Sequence, residues 1–178
     1  MSSRTTPQLS HFGVFCHDLD RMVAFYCEVF GMTVTDRGAG ITMPFEIAFL
    51  SNSPTQHHQL ALASRREGAI STVMQISFKV GVIDDLRAIR ELALTRGASR
   101  MRGLNHGNAL SIYFSDPEDN TVEVYLDTPW YVAQPHGDPL VLELADEEIW
   151  QETERICRAD PTFMPVEQWR ASFGRTGK

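Results

Sequence analysis

Two kinds of hydrophobic pattern alternate along the chain. Short runs rich in β-branched and aromatic residues predict strands, and longer stretches with an apolar residue every three or four positions predict helices. The first helix is predicted over residues 19–30, because Asp18 can cap its start and Gly31 can end it. The second is predicted over residues 83–96, before Gly97. The predicted strands cover residues 9–17, 33–36, 45–51, 58–63, 74–80, 99–102, 109–115 and 121–126.

The order of these elements repeats, and the repeat is the strongest architectural feature of the sequence. Each half, about residues 8–66 and 72–131, reads as a strand, a helix and three further strands. The predicted fold class is therefore α+β, with tandem βαβββ modules and a C-terminal arm that contains a helix. Together the modules would form one domain over residues 1–131.

The repeat also relates particular polar positions to each other. In register, position 11 of the first half corresponds to position 75 of the second. The strand around His57 and His58 corresponds to the strand that carries Glu123. If the open faces of the two modules pack together, we expect these side chains to converge in one cleft.

Glu123 stands out because it interrupts an apolar hairpin. Residues 109–115 and 121–126 flank an Asp-Pro-Glu-Asp-Asn turn. Side chains alternate along the outgoing strand, so Glu123 shares a face with Thr121 and Tyr125, while three apolar side chains share the other face. A buried carboxylate is costly unless it is paired or bound to a metal. Glu123 is therefore either a solvent-facing residue or a functional carboxylate.

The composition changes after Asp127, where prolines interrupt regular structure. Residues 144–158 then read as an acidic amphipathic helix. Its apolar side needs a surface to cover it. We expect residues 132–178 to form an arm that packs on its own domain or on a partner subunit.

Charge and cysteine content narrow the classes of function. The net charge is −7 and the pI is near 5.3, which disfavours a nucleic-acid partner. The cysteines Cys16, Cys27 and Cys157 form no CxxC pair and suggest reduced thiols. The sequence lacks a long apolar run, and its first eight residues do not resemble a signal peptide. We therefore expect a cytoplasmic protein that acts on small molecules and binds no membrane.

These motifs together resemble the vicinal oxygen chelate (glyoxalase/bleomycin resistance/dioxygenase) superfamily over about residues 8–131. The resemblance is carried by residues 10–31, which look like the family's opening, and by residues 113–123, which look like its closing hairpin. Within the superfamily the chain is most similar to one-domain type I extradiol catechol dioxygenases. That likeness depends on residues 57–62, residues 106–109, Tyr113 and residues 127–131.

The resemblance implies a set of metal ligands. It assigns His11 to the first ligand position, Glu123 to the carboxylate position and Gln75 to the position of a second histidine. Gln75 departs from the dioxygenase pattern, since imidazole is a better ligand for Fe(II) than a carboxamide oxygen. The resemblance implies Fe(II), with Zn(II), Ni(II), Co(II) or Mn(II) as the alternatives.

The resemblance also implies catalytic roles for three further residues. His58 takes the place of a dioxygenase's acid/base residue, although the same strand supplies a metal ligand in glyoxalases. His106 would donate a hydrogen bond to substrate or dioxygen, and Tyr113 would orient the substrate. Each of the three also has a simpler interpretation, as a polar loop residue for the histidines and as a core aromatic residue for Tyr113.

The resulting expectation is an extradiol ring-cleaving dioxygenase that acts on a catechol-type aromatic and dioxygen. One alternative is a glyoxalase-like isomerase or epimerase in which His11, His58, Gln75 and Glu123 all bind the metal. Another is a metal-free protein that sequesters a small molecule. A homodimer is expected in each case.

Overall fold

A computed structural model describes residues 9–39, 45–71 and 73–172. The chain folds as two compact units, residues 1–72 and 73–178. Residues 1–8, on which the expectation of no signal peptide depends, lie outside the described residues. In the part of the chain that the structure describes, no helix has the length and hydrophobicity needed to cross a membrane.

The elements follow the predicted order. Those of the first unit are β1 (Phe12–Phe15), α1 (Leu19–Phe30), β2 (Thr33–Ala39), β3 (Glu46–Ser51) and β4 (Leu60–Ala63). Those of the second unit begin with β5 (Ile76–Lys79), α2 (Ile83–Thr95), β6 (Ser99–Asn105), β7 (Ala109–Ser115) and β8 (Thr121–Asp127). The C-terminal elements are β9 (Trp130–Tyr131), β10 (Asp138–Pro139), α3 (Asp146–Ala159), β11 (Met164–Pro165) and α4 (Val166–Ser172).

Helix α1 forms as its sequence predicts. The Asp18 side chain accepts a hydrogen bond from the Arg21 backbone N–H, and Gly31 adopts a left-handed φ of 63° at the other end. The apolar stripe of the helix is buried and contacts β3 and β4. The stripe consists of Leu19, Met22, Phe25, Tyr26 and Val29.

The two units share one sheet topology. In the first unit the strand order is β1-β4-β3-β2, and β1 runs parallel to β4. In the second the order is β10-β6-β7-β8-β5, and β5 runs parallel to β8. In each unit the first strand therefore pairs with the last strand of its module. This arrangement confirms the predicted tandem βαβββ fold.

One face of the second sheet is a hydrophobic core. Alternate side chains of β7 and β8 point to this face and are buried, and α2 contacts both strands there. The opposite face carries Glu123 and Tyr125, as the alternation predicts. The buried apolar residues are Leu110, Ile112, Phe114, Val122, Val124 and Leu126.

The C-terminal elements belong to the second unit and contact it in several places. Strand β10 adds to the sheet beside β6. Helix α3 buries Ile149, Thr153 and Cys157. Asn105 on β6 donates a hydrogen bond of 2.8 Å to the Thr153 hydroxyl. The predicted domain boundary at residue 131 remains a prediction.

Several predicted strands are shorter in the structure than in the sequence interpretation. Strand β1 begins at Phe12 and β5 at Ile76, so His11 and Gln75 each lie one residue before a first strand. Strand β4 begins at Leu60, and His58 lies outside it. Each of these strands ends where its backbone hydrogen bonds to the neighbouring strand end. The hydrophobic pattern of the sequence does not show where that pairing stops. The two-residue strands β9, β10 and β11 are too short to show a period.

Candidate functional site

Glu123 occupies the middle of a row of directly paired residues. Its register partner on β5 is Ser77, and its partner on β7 is Tyr113. Partners in adjacent strands lie about 5 Å apart and project to the same face of the sheet. The sheet therefore brings hydroxyl groups to the Glu123 carboxylate from both sides.

The Glu123 carboxylate is buried and fully hydrogen-bonded. Only 8% of the residue is exposed. Its Oε2 accepts from the Ser77 hydroxyl at 2.7 Å and from the Gln75 amide nitrogen at 2.8 Å. Its Oε1 accepts from the Ser111 hydroxyl at 3.0 Å and from the Tyr113 hydroxyl. Glu123 is thus not a solvent-facing residue, and its four donors offset the cost of burying the carboxylate.

Tyr113 links Glu123 to His106. The Tyr113 hydroxyl lies 3.0 Å from His106 Nε2. On its other side, His106 Nδ1 donates to the His136 carbonyl oxygen at 2.7 Å, because a carbonyl can only accept. The Tyr113 hydroxyl has one proton and two possible acceptors, Glu123 and His106 Nε2. Whichever group accepts that proton, the other has to donate to the phenol oxygen.

The phenol itself stays protonated near neutral pH. Burial raises the pKa of Tyr113 well above its usual value, and the hydrogen bond to the Glu123 carboxylate raises it further. Tyr113 can therefore donate a hydrogen bond or pass a proton along the line between Glu123 and His106.

These groups line a cavity of about 250 Å³ within the second unit. Most of its lining residues have polar side chains, namely His106, Asn108, Tyr113, Glu123, Tyr125 and Gln134. The volume lies just below the range of about 300–1,000 Å³ usual for ligand pockets, so the cavity could hold only a ligand of few atoms. The sequence predictions for Tyr113, His106, Gln75 and Glu123 thus meet in one place.

His11 and His58 meet in the first unit. Their ring centroids are 4.0 Å apart, and His58 also packs against Phe49 at 4.8 Å. His58 Nδ1 lies 2.9 Å from His57 Nδ1, and His57 Nε2 lies 2.8 Å from an Asp36 carboxylate oxygen. Burial lowers the pKa of His58, and the neighbouring His11 and His57 lower it further. His58 therefore favours its neutral form, which can ligate a metal or accept a proton.

The registers refine the predicted correspondence between the two module-ending strands. Strands β4 and β8 are equivalent, as predicted, but the equivalent of Glu123 on β4 is not a histidine. Ser77 pairs with Glu123 in the second unit, and at the matching position of the first unit Gly13 pairs with Ala61. The first unit thus places an alanine where the second unit places its carboxylate. The correspondence of His11 with Gln75 is confirmed, since each immediately precedes its module's first strand.

The sequence interpretation missed three residues around Glu123. Ser77 and Ser111 donate to the carboxylate, and the Arg102 guanidinium lies over the Tyr113 ring at 5.1 Å from its centroid. Alternation could have found both serines, since Ser77 lies two residues from Gln75 and Ser111 two from Tyr113. Arg102 could not be found this way, because its position follows from pairing between β6 and β7.

Comparison with known proteins agrees with this architecture. Residues 8–124 match the model of the Glyoxalase/Bleomycin resistance protein/Dioxygenase superfamily. The chain belongs to this superfamily. No curated protein matches its sequence significantly.

The chain is similar in fold to several solved structures, among them fosfomycin resistance proteins and a domain of the same superfamily. FosX from Listeria monocytogenes, crystallised with Mn(II) and sulfate, is 18% identical, with 70% of this chain and 95% of that one covered and a TM-score of 0.56. FosX from Mesorhizobium loti is 22% identical, with 70% and 94% covered and a TM-score of 0.56. A superfamily domain from Frankia sp. EAN1pec is 20% identical, with 70% and 100% covered and a TM-score of 0.57.

At these identities the likeness shows the fold. It does not extend to the expected dioxygenase subtype, because the neighbours named here are resistance proteins and a superfamily domain. The superfamily includes enzymes and members that bind divalent metals, such as FosX with Mn(II).

Glu123 and Gln75 carry oxygen atoms of the type that a hard divalent cation prefers. Gln75 turns its amide nitrogen toward Glu123, and a half-turn of the amide would present its oxygen instead. Carboxylate and amide oxygens suit Mn(II) better than they suit softer metals. Within the described residues no group of three or more His, Cys, Asp or Glu side chains could hold a metal ion. Glutamine is not one of these four residue types, so this finding does not bear on a site in which Gln75 is a ligand.

Proposed function

We propose that this chain is a metal-dependent enzyme of the glyoxalase-like type that acts on a small molecule with two adjacent oxygens. The proposed ligands within the second unit are Glu123 and Gln75, and His11 stays the ligand predicted from the sequence for the first unit. The observation that supports the proposal most directly is the buried Glu123 carboxylate in a cavity of about 250 Å³. A structural carboxylate gains little from lining a cavity, whereas a ligand must face one.

A divalent metal would supply Lewis-acid polarisation of the substrate oxygens when bound. The chain's own groups account for proton movement. Tyr113 holds a proton at its hydroxyl oxygen between Glu123 and His106 Nε2. The His136 carbonyl fixes the orientation of the His106 ring. This line can give a proton to a substrate oxygen or take one from it. In the first unit, the lowered pKa of His58 suits the acid/base or ligand role predicted for it.

The choice of metal follows from the donor types. A glutamine at the second position replaces an imidazole nitrogen with an oxygen, which favours Mn(II) over Zn(II). The crystal structure of Listeria FosX contains Mn(II) and is consistent with this preference. Fe(II) is the second candidate metal, because the predicted dioxygenase roles require it.

The test is metal uptake by protein stripped with a chelator. We expect about one Mn(II) per chain by calorimetry and elemental analysis, and a clear loss of affinity in Glu123→Gln. A matched control is Glu118→Gln, which removes the same charge from the nearby turn. No uptake of Mn(II) or Fe(II), or equal uptake in Glu123→Gln, would contradict the proposal and favour a metal-free binding protein.

An extradiol dioxygenase is the second candidate function. One observation favours it: the two residues predicted to orient substrate and dioxygen, Tyr113 and His106, are hydrogen-bonded to each other in the Glu123 cavity. Oxygen consumption separates the candidates. Fe(II)-loaded protein that consumes oxygen with catechols would establish the dioxygenase, and metal-loaded protein that transforms a substrate without oxygen would establish the glyoxalase-like enzyme.

A further inference from the structure

A second cavity has Tyr113 in common with the cavity that contains Glu123. Its volume is about 210 Å³, and it too lies within the second unit. None of its lining residues is acidic, and two are arginines. They are Arg100, Arg102, Tyr113, Phe114, Ser115 and Thr121.

Arg102 occupies the same row of paired residues as Glu123. Arg102 pairs with Tyr113 across β6 and β7, and Tyr113 pairs with Glu123 across β7 and β8. Two strand spacings, roughly 10 Å, therefore separate the backbone positions of Arg102 and Glu123. The Tyr113 side chain lies between them and is a wall of both cavities.

The Arg102 guanidinium has donors to offer a ligand. It lies 5.1 Å from the centroid of the Tyr113 ring, and across residues 9–39, 45–71 and 73–172 no carboxylate forms an ion pair with it. Arg87 and Arg90 differ, since each has carboxylate partners within 3.2 Å. A guanidinium fixed over an aromatic ring keeps its N–H groups available at its edge.

Neighbouring groups add to the positive character of this cavity. Arg100 adds a second guanidinium to the wall of this cavity and forms its own ion pair with Asp119 at 3.5 Å. Ser115 and Thr121 are register partners and bring two hydroxyl donors. The pairing of β6 with β7 shifts register between Ser99 and Arg102, and such bulges change the direction of side chains near binding sites. The chain as a whole has a net charge of −7, whereas the residues that line this cavity include two arginines and no acidic side chain.

We infer that the substrate of the Glu123 site carries an oxyanion, a carboxylate or a phosphoryl-type group, which Arg102 and Arg100 bind while its adjacent oxygens face Glu123. The inference depends on the proposed function, because it places the reacting end of the substrate at Glu123. Guanidinium groups bind such oxyanions through paired, charge-assisted hydrogen bonds. Arg102 is thereby a residue that determines specificity.

The first experiment uses metal-free protein and inorganic phosphate at constant ionic strength. NMR of the arginine Nε–H groups is expected to show a saturable shift at Arg102. Phosphate affinity is expected to fall roughly tenfold in Arg102→Gln and to recover in part in Arg102→Lys. Arg155→Gln, which removes the same charge from exposed α3, is the control. An Arg102 Nε–H resonance that does not shift, or equal phosphate affinity in Arg102→Gln and wild type, would overturn the inference. This result does not depend on whether the protein binds a metal.

The second experiment tests whether the two ends belong to one substrate. Mn(II)-loaded protein is titrated with 3-(3,4-dihydroxyphenyl)propanoate and with its methyl ester, which share the adjacent hydroxyls but differ in charge. We expect the acid to bind roughly tenfold more tightly, and the preference to disappear in Arg102→Gln. Equal binding of acid and ester overturns the inference and leaves the proposed function intact. Failure to load Mn(II) refutes the proposed function, and with it the assignment of the oxyanion to that substrate.

Discussion

Tyr113 and Glu123 are direct partners across β7 and β8, and the Tyr113 hydroxyl donates to Glu123 Oε1. The same hydroxyl lies 3.0 Å from His106 Nε2. Register therefore aligns the carboxylate with the phenol, since a shift of one residue would move Tyr113 to the opposite face of the sheet. His106 follows the end of β6 and reaches the phenol from the turn before β7.

Tyr113→Phe tests the role of this hydroxyl. The change removes a proton donor but keeps the ring, and Ser111 still donates to Glu123 Oε1. We expect kcat on the natural substrate, once identified, to fall roughly 100-fold, and the free energy of unfolding to change by about 1 kcal/mol. Mn(II) affinity should change little. Tyr125→Phe, in the same cavity, is the control, and equal kcat values for the two variants would contradict the assignment.

Gly103→Ala tests the attachment of the C-terminal segment to β6. A Cβ at Gly103 would lie 2.4 Å from the Leu140 carbonyl oxygen, and backbone cannot give way as a flexible side chain can. We expect the free energy of unfolding to fall by about 1–3 kcal/mol, measured by urea denaturation. The control is Gly81→Ala, where a Cβ meets nothing within 4 Å. Equal stability of the two variants would contradict the close approach of the Leu140 backbone to Gly103 on β6.

Asn105→Ala tests the polar link between β6 and α3. Asn105 is buried, donates to the Thr153 hydroxyl at 2.8 Å and accepts from the Gly107 N–H at 2.9 Å. Its loss leaves a buried N–H of Gly107 unsatisfied, so we expect a loss of about 1–3 kcal/mol in the free energy of unfolding. Asn52→Ala, at an exposed position, should have little effect. A calorimetric scan that finds the two variants alike would contradict this prediction.

Cys157 should be inert to thiol reagents near neutral pH. It is fully buried, and burial raises its pKa to about 11, with a further contribution from Asp160. Only the thiolate reacts, and at pH 8 about one thiol in a thousand would be ionised at that pKa. The rate of modification should rise about tenfold per pH unit up to the pKa. Mass spectrometry of trapped peptides should find the half-buried Cys27 modified first, and faster labelling of Cys157 would contradict the prediction.

The expected homodimer stays a prediction. Val141 and Leu144, near the start of α3, are 47% and 42% exposed and offer apolar surface to a partner. Light scattering at several protein concentrations should give a mass near twice 20.1 kDa. A mass of one chain at every concentration would rule the dimer out.

The sequence by itself determined the order of the elements and the faces of the central strands. Helix α1 begins and ends where Asp18 and Gly31 predict, because caps and turn residues act over a few positions. The strict alternation along β8 predicted which side chains share a face with Glu123, because a strand has a period of two. The repeat of the modules was visible for the same local reasons, and it led to His11 and Gln75.

Only the tertiary structure decided what surrounds Glu123. Cross-strand register brings Ser77, Tyr113 and Arg102 into its row, and register depends on pairing between residues up to 46 positions apart, as for Ser77 and Glu123. Register also showed that Ala61 is the residue of the first unit equivalent to Glu123. Pairing between distant strands leaves no local period in the sequence. Alternation can propose candidate donors for Glu123, but which of them reach its carboxylate, and the basic cavity beside Tyr113, become visible only in the folded chain.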